Sequence, residues 1–279
     1  RLAALAQEDI VAARIAEAHV DAVAILDELG AQPTQPGQLW GVWAAEPPDA
    51  VLAATPGDDG DVMLDGTKAW CSGAGFCTHA LVTARLPGGE RALFAVAVDS
   101  AVRALPSTWV NTGMAGSDTR SVQFTGARAV PVGDPGAYLT RPGFWHGAIG
   151  VAACWLGGAR AVAEPLYRRA SDPHALAHLG AVDAALTAAG ATLDAAAAQV
   201  DADPFDRAGR AQLVARRARA VVEHAVDEAL TRTGRALGPG PLAQDSLHAK
   251  RVADLTMYVR QSHAERDLEA LGRLAGSAT

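Results

Sequence analysis

The chain is short of the residue types that build several common classes of protein. Its three cysteines, Cys71, Cys77 and Cys154, are too few and too scattered for a disulfide framework, and no Cys-x-x-Cys site exists among them. That points to a reducing cytoplasm and gives no reason to expect a metal site. Aromatic residues make up 5% of the sequence, so each tryptophan carries weight in any reading of core or site. Surplus positive charge is missing too: 24 Lys and Arg face 31 Asp and Glu, a net charge of −7, which argues against a general nucleic-acid-binding surface. The basic run from Arg207 to Arg219 has Glu223, Asp227 and Glu228 behind it and reads as a solvated helix face. Near the start, Glu8, Asp9, Glu17 and Asp21 interrupt the apolar positions, which a signal-peptide core or a membrane span would exclude.

What is present falls into three zones. Over residues 1 to about 30, Leu2, Leu5, Ile10, Ala13, Ile15, Ala18, Val20, Val23 and Leu26 recur near the helical period, and Gly30 closes the run. A Pro/Gln/Gly linker follows. From residue 39 to 135 the pattern changes to short β-type runs separated by Gly, Pro and Asp. VMLDGTKAW places a turn at Asp65-Gly66, HALVTARL and RALFAVAV flank the turn PGGE, and SVQFTGARAVPV supplies further strand. Close-set strands of this kind predict a small antiparallel β barrel or sandwich. From residue 136 to 279 the chain is helical and rich in alanine, with breaks at Asp172-Pro173, Asp203-Pro204 and Gly238-Pro239-Gly240-Pro241. Four long runs with short joints predict an antiparallel four-helix bundle. The expected fold class is α+β multi-domain, with zones 1–38, 39–135 and 136–279.

The middle zone narrows the choice. LDGTKAWCSGAGFCTHALVTAR carries Gly66, Lys68, Trp70 and Ser72, and GMAGSDTRSVQFTGARAVP carries Gly113, Ser117, Asp118, Thr119, Val122, Phe124, Val130 and Pro131. Later, AKRVADL looks like an Arg-Asp segment that precedes an active-site turn, and LGR at 271–273 looks like a common ending. Together these stretches resemble the flavin-dependent acyl-CoA dehydrogenases over roughly residues 39 to 279. The resemblance implies a helical N-terminal domain, a β barrel and a four-helix bundle around FAD, with residues 1–30 as the last helix of an N-terminal domain otherwise removed or disordered. It also implies lipid metabolism, an acyl-CoA or related thioester as substrate, an electron-acceptor flavoprotein as partner, and a homodimer or homotetramer formed through the bundle.

By the same resemblance Trp70 lies against the flavin ring and Ser72 donates near its N5. In GVWAAEPPDAVLA, Glu46 and Pro47 are kept, but Ala45 replaces a hydroxyl residue and the expected Gly-x-Gly-Ser does not follow, so the backbone of Ala44 and Ala45 is left to hold the ring. Arg168 and Arg169 offer charge near YRRASDP, and RALGPGPL puts Arg235 where the family has Gln, followed by Gly238 and Gly240. The family's catalytic carboxylate is absent: its usual place falls at Ser262 or His263, and its alternative place near Trp145 and His146. His263 is then the candidate base, with Glu265 two residues on, although both also suit a charged stretch that pairs internally or with water. Three functions follow: an FAD-dependent oxidoreductase acting on the CH–CH bond of an acyl thioester, a flavin monooxygenase on the same fold, or a non-catalytic subunit of a dehydrogenase complex.

Overall fold

The structure, a computed structural model, describes residues 1–48, 50–57 and 61–277. The chain divides into two compact units, one made of Arg1–Arg14, Asn111–Met114 and Trp145–Thr279, the other of Ile15–Val110 and Ala115–Phe144. It crosses between them four times, and the zone limits at 38 and 135 both fall inside the second unit.

The helix expected over residues 1–30 is two helices, α1 (Leu2–Glu8) and α2 (Ile10–Glu28). Asp9 makes the break: its backbone is extended, and its Oδ1 accepts from the N–H groups of Val11 and Ala12, which caps α2. Gly30, at φ 65°, follows the end of α2.

Seven strands form one sheet: β1 (Trp40–Trp43), β2 (Leu52–Pro56), β3 (Val62–Cys71), β4 (His79–Arg85), β5 (Arg91–Ala97), β6 (Val102–Ala104) and β7 (Arg120–Pro131). The circuit β4–β2–β3–β7–β5 closes when β5 pairs back onto β4, with β1 beside β4 and β6 beside β7. Closure leaves fewer open edges to be managed. The expectation of a purely antiparallel barrel is corrected: β1 runs parallel to β4 from Trp40↔His79 to Trp43↔Val82, and β2 meets β4 in parallel at Ala53↔Arg85. Strands joined by tight turns pair antiparallel, but closing the circuit joins β2 to β4 across the reversal made by β3, so these two run the same way. The hairpin around PGGE is present, in register from His79↔Ala97 to Arg85↔Arg91. The turn at Asp65-Gly66 is not. There β3 runs straight through, and the register against β7 shifts between Leu64 and Gly66. Gly66 sits at φ 124°, and a Cβ on it would stand 2.3 Å from the Val51 carbonyl oxygen, so the dipeptide bends a strand without ending it.

Leu52, Ala54, Leu64, Val82, Phe94, Val122 and Phe124 fill the barrel. A second cluster joins Ala22, Ile25 and Leu26 of α2 to Trp40, Leu81 and Leu93. After α3 (Ala137–Thr140), the buried Arg141 donates to Asp21 at 3.1 Å and Glu28 at 2.8 Å, tying this turn to α2.

The other unit is helical: α4 (Gly143–Arg169), α5 (Pro173–Ala202), α6 (Ala211–Leu237), α7 (Gly240–Gln244), α8 (Ser246–Tyr258) and α9 (Glu265–Ser277). The Pro and Gly breaks stand where the sequence puts them. Asp172 caps α5 through the N–H groups of His174 and Ala175, and Gly238 at φ 65° ends α6. Buried positions on α5 are Ala175, Val182, Leu186, Ala189, Leu193 and Ala196, and on α6 Ala211, Ala215, Ala218, Val222, Ala225, Val226, Ala229 and Thr233. Spacings of three and four make one seam on each helix, and the alanines let the two backbones approach closely. Elsewhere α5 is apolar because of alanine: it is long and apolar enough to cross a membrane, and 22% of its apolar window is buried. The fourth long run differs from expectation. It breaks after α8 into a 3-10 turn and an extended Ser262 before α9 begins.

Candidate functional site

The end of β3 carries the most unusual local geometry in the barrel unit. Val62, Leu64 and Lys68 alternate inward, and continued alternation would turn Trp70 into the core. A register shift between Lys68 and Cys71 intervenes, and Trp70 adopts φ 60°. One extra residue therefore reverses the pattern: Cys71 takes the interior position and the Trp70 indole is left 57% exposed. Trp109 meets it edge to face at 6.1 Å. A left-handed backbone under a bulky aromatic is strained, and such strain concentrates at functional sites.

Two residues after Trp70, Ser72 begins a row of hydroxyls. Ser72 Oγ is 3.0 Å from Thr119 Oγ1, which is 2.8 Å from Ser117 Oγ. The Ser72 carbonyl accepts from the Trp43 indole N–H at 2.9 Å. Asp118, at φ 46°, accepts from the Gly75 N–H at 2.8 Å and from Arg120 Nε at 2.6 Å. Its role is thus to close the loop after β3 onto the start of β7. An exposed aromatic ring two residues from the partly buried Ser72 hydroxyl suits a planar heteroaromatic ligand.

Beneath Ala44 and Ala45 the barrel holds a charged cluster that the motif alone does not reveal. Glu46 pairs with Arg85 at 2.8 Å, Arg91 at 2.9 Å and Lys68 at 3.7 Å. Lys68 donates to the Thr83 carbonyl and hydroxyl at 2.6 and 2.7 Å, and Thr83 Oγ1 donates to the Ala44 carbonyl at 3.4 Å. Burial pushes the Lys68 ammonium down to about 8, against the pull of Glu46. Burial also raises the Glu46 carboxyl, but the Thr83 hydrogen bond, Lys68 and Arg91 outweigh it and hold Glu46 below its ordinary value. Lys68 and Glu46 are therefore structural: they anchor the segment that contains Ala44 and Ala45.

In the helical unit, Arg235 is exposed in the last turn of α6, and Gly238 caps that helix with open space around its α carbon. His263 lies between α8 and α9, outside regular helix, so it and Glu265 are not two residues of one continuous helix. Its side chain is 65% exposed, with Nδ1 3.8 Å from Asp267 Oδ2, while its N–H donates to the same oxygen at 3.1 Å. Glu265 is exposed in the first turn of α9. Ser262 donates to Glu223 at 2.6 Å. Arg216 and Arg219 correct the reading of a solvated basic face: Arg216 lies over Trp145 at 5.1 Å and pairs with Asp267, and the half-buried Arg219 lies over Trp155 at 4.5 Å. The stacking needs residues from α4 that sequence spacing does not bring to mind. A cavity of about 330 Å³ lined by Gln7, Arg160, Glu164, Tyr167, Leu186 and Thr187 contains none of the residues singled out from the sequence.

No protein-family model matches the chain, and no curated sequence does. Solved structures match it well. The dibenzothiophene monooxygenase TdsC from Paenibacillus sp. A11-2, in an FMN-bound crystal structure, superposes with a TM-score of 0.86 at 21% identity, over 100% of this chain and 82% of that one. KijD3 in complex with FMN and a dTDP-linked amino-keto sugar gives 0.84 at 18% identity, over 100% and 78%. Methanesulfinate monooxygenase MsuC from Pseudomonas fluorescens gives 0.81 at 19%, over 100% and 82%. At these identities the likeness establishes the fold: α+β, with a small barrel and many helices, consistent with the acyl-CoA dehydrogenase-like fold implied by the motifs.

Proposed function

We propose that the chain is a flavin-dependent oxidoreductase of the monooxygenase kind, with FMN as its flavin. The observation that carries the reading is the bulge that exposes Trp70 two residues before the Ser72 hydroxyl, on a fold whose solved examples include FMN-bound enzymes. The residues fit a flavin at its ring: Trp70 supplies an aromatic face, Ser72 a hydroxyl, and the backbone of Ala44 and Ala45 a support anchored from below by Glu46 and Lys68. They fit the outer half of FAD less well, because the phosphate-binding turn that the family places after Glu46 is missing. FMN has no adenylate to hold.

A reduced flavin, when bound, supplies the electrons with which molecular oxygen is activated. This chain's own part, within the barrel unit, is to seat the ring on Trp70 and to orient it through Ser72. Two observations favour this over acyl-CoA dehydrogenation. Neither expected base position holds a carboxylate, and His263 is exposed rather than set in the dry environment that α-proton removal from a thioester calls for. The same reading takes α4, α5, α6 and the α8–α9 run as an antiparallel bundle, and has a second copy cover the outer alanine face of α5.

The test is a titration of the purified protein with FMN and with FAD, followed by flavin fluorescence and visible absorbance. FMN is expected to bind more tightly than FAD. Protein carrying FMN reduced by a nicotinamide cofactor is then exposed to air with dibenzothiophene or indole, and products gaining one oxygen atom are sought by mass spectrometry. Failure to bind either flavin overturns the proposal. Bleaching of the bound flavin by an acyl-CoA under anaerobic conditions restores the dehydrogenase reading instead.

A further inference from the structure

Three hydroxyls of the barrel unit form a line. Ser72 Oγ is 3.0 Å from Thr119 Oγ1, and Thr119 Oγ1 is 2.8 Å from Ser117 Oγ. Residues two apart in an extended strand stand about 7 Å from each other. Asp118, at φ 46°, turns the chain between Ser117 and Thr119 and brings their hydroxyls within bonding distance. That conformation costs a non-glycine residue, and Asp118 is held in it by its own carboxylate, which accepts from the Gly75 N–H and from Arg120 Nε.

Ser72 does not need the Thr119 hydroxyl to be held in place. Its carbonyl accepts from the Trp43 indole at 2.9 Å, the Gly73 N–H donates to the Ser117 carbonyl at 2.8 Å, and the Ala74 N–H donates to the Asp118 carbonyl at 3.2 Å. These bonds fix the backbone around Ser72. What Thr119 adds is direction. A hydroxyl has one proton to give and two lone pairs with which to receive. Among the described residues, Thr119 is the one partner of Ser72 Oγ. If Ser72 gives its proton to Thr119, a ligand meets Ser72 as an acceptor. If Thr119 gives its proton to Ser72, the Ser72 proton is left for the ligand. The second polarity runs from Ser117 through Thr119 to Ser72, and each link strengthens the next. The edge of an oxidised flavin ring carries mostly acceptors, its carbonyl oxygens and bare ring nitrogens, and so calls for a donor.

We infer that Thr119 is a positioning residue: by accepting from Ser117 and donating to Ser72, it turns the Ser72 hydroxyl outward as a hydrogen-bond donor to the flavin ring. The inference rests on the flavin reading, and all of its residues belong to the barrel unit.

FMN affinity is measured in the full chain by fluorescence titration. Ser72→Ala is expected to lose about tenfold, and Thr119→Val about threefold to tenfold. Thr119→Ser, which keeps the hydroxyl, should stay within about twofold of wild type. In the double variant Ser72→Ala/Thr119→Val the losses should not multiply: its affinity should match that of Ser72→Ala within about twofold, because Thr119 acts through Ser72. Losses that multiply, wild-type affinity in Ser72→Ala or Thr119→Val, or a Thr119→Ser variant as weak as Thr119→Val overturn the inference, while FMN binding by the wild type keeps the flavin reading. A wild-type chain that binds neither FMN nor FAD overturns both. Amide exchange by NMR, without flavin, separates direction from placement: in Thr119→Val the Gly73 and Ala74 N–H groups should exchange within about threefold of their wild-type rates. Faster exchange than that makes Thr119 an anchor of the loop and overturns the inference. If Thr119→Val fails to fold, Ser117→Ala reads the same line one link back, with an expected loss of about twofold to fivefold that disappears in the Ser72→Ala background. Wild-type affinity in Ser117→Ala, or a loss that persists in that background, overturns the inference.

Discussion

Inside the barrel, Lys68 Nζ lies 3.7 Å from Glu46 Oε1, with side chains only 2% and 10% exposed. A lysine that reads from its motif as one letter of a flavin signature is thus spent on holding a glutamate, and through Thr83 the neighbouring Ala44 carbonyl, in place.

The pair has a pH signature. The Lys68 ammonium titrates near 8 in the folded chain and near the ordinary lysine value of 10.5 when unfolded, so between these values the unfolded state holds more protons. Stability contributed at this site should rise as pH increases through that window, with no such gain below pH 8. Lys68→Met removes the gain; because Glu46 keeps Arg85 and Arg91, the loss at neutral pH should be about 1–3 kcal/mol, less than for an isolated buried pair. Urea unfolding of both proteins at about pH 7 and about pH 9.5 checks the sign. A gap that narrows on going to the higher pH would refute it.

Trp70→Gly should separate stability from binding. Relief of the left-handed strain offsets the lost contact with Trp109, so thermal stability is expected to stay within about 1 kcal/mol of wild type. FMN affinity, in contrast, should fall by about tenfold or more. Equal affinity in the variant would move the flavin away from Trp70.

Two glycines on helices should respond with opposite signs. A Cβ on Gly157 would stand 2.2 Å from the Ala3 carbonyl oxygen, so Gly157→Ala must push α1 from α4 and is expected to cost about 1–3 kcal/mol. Gly180 of α5 has nothing within 4 Å, and Gly180→Ala should stabilise by about 0.5–1 kcal/mol through helix propensity. Denaturant midpoints compare the two directly. A stabilised Gly157→Ala protein would mean that α1 does not pack on α4 as described.

Local features of the fold could be read from the sequence because local chemistry causes them. The PGGE hairpin, the Asp172 cap and the Gly238 stop depend on a few adjacent residues. The Asp9 cap was equally local but stood inside a continuous apolar period, which masked it. Parallel pairing of β2 with β4, the stacking of Arg216 and Arg219 on Trp145 and Trp155, and the bond from Met114 to Asp254 join distant residues, and no spacing rule reports them. The outward turn of Trp70 failed for another reason: strict alternation predicts the opposite face, and one extra residue in the ladder reverses it.

Neither compact unit is a continuous stretch of chain, since Arg1–Arg14 belongs with Trp145–Thr279 and Asn111–Met114 is lent to the same unit from the middle of the barrel sequence. During synthesis, residues 15–144 contain the whole barrel unit, interrupted only by those four loop residues, so the barrel can mature while the ribosome is still extending the chain. The segment Arg1–Arg14, in contrast, meets the rest of its unit only after residue 145 has been made, and neither unit can be exchanged between genes as a single cassette.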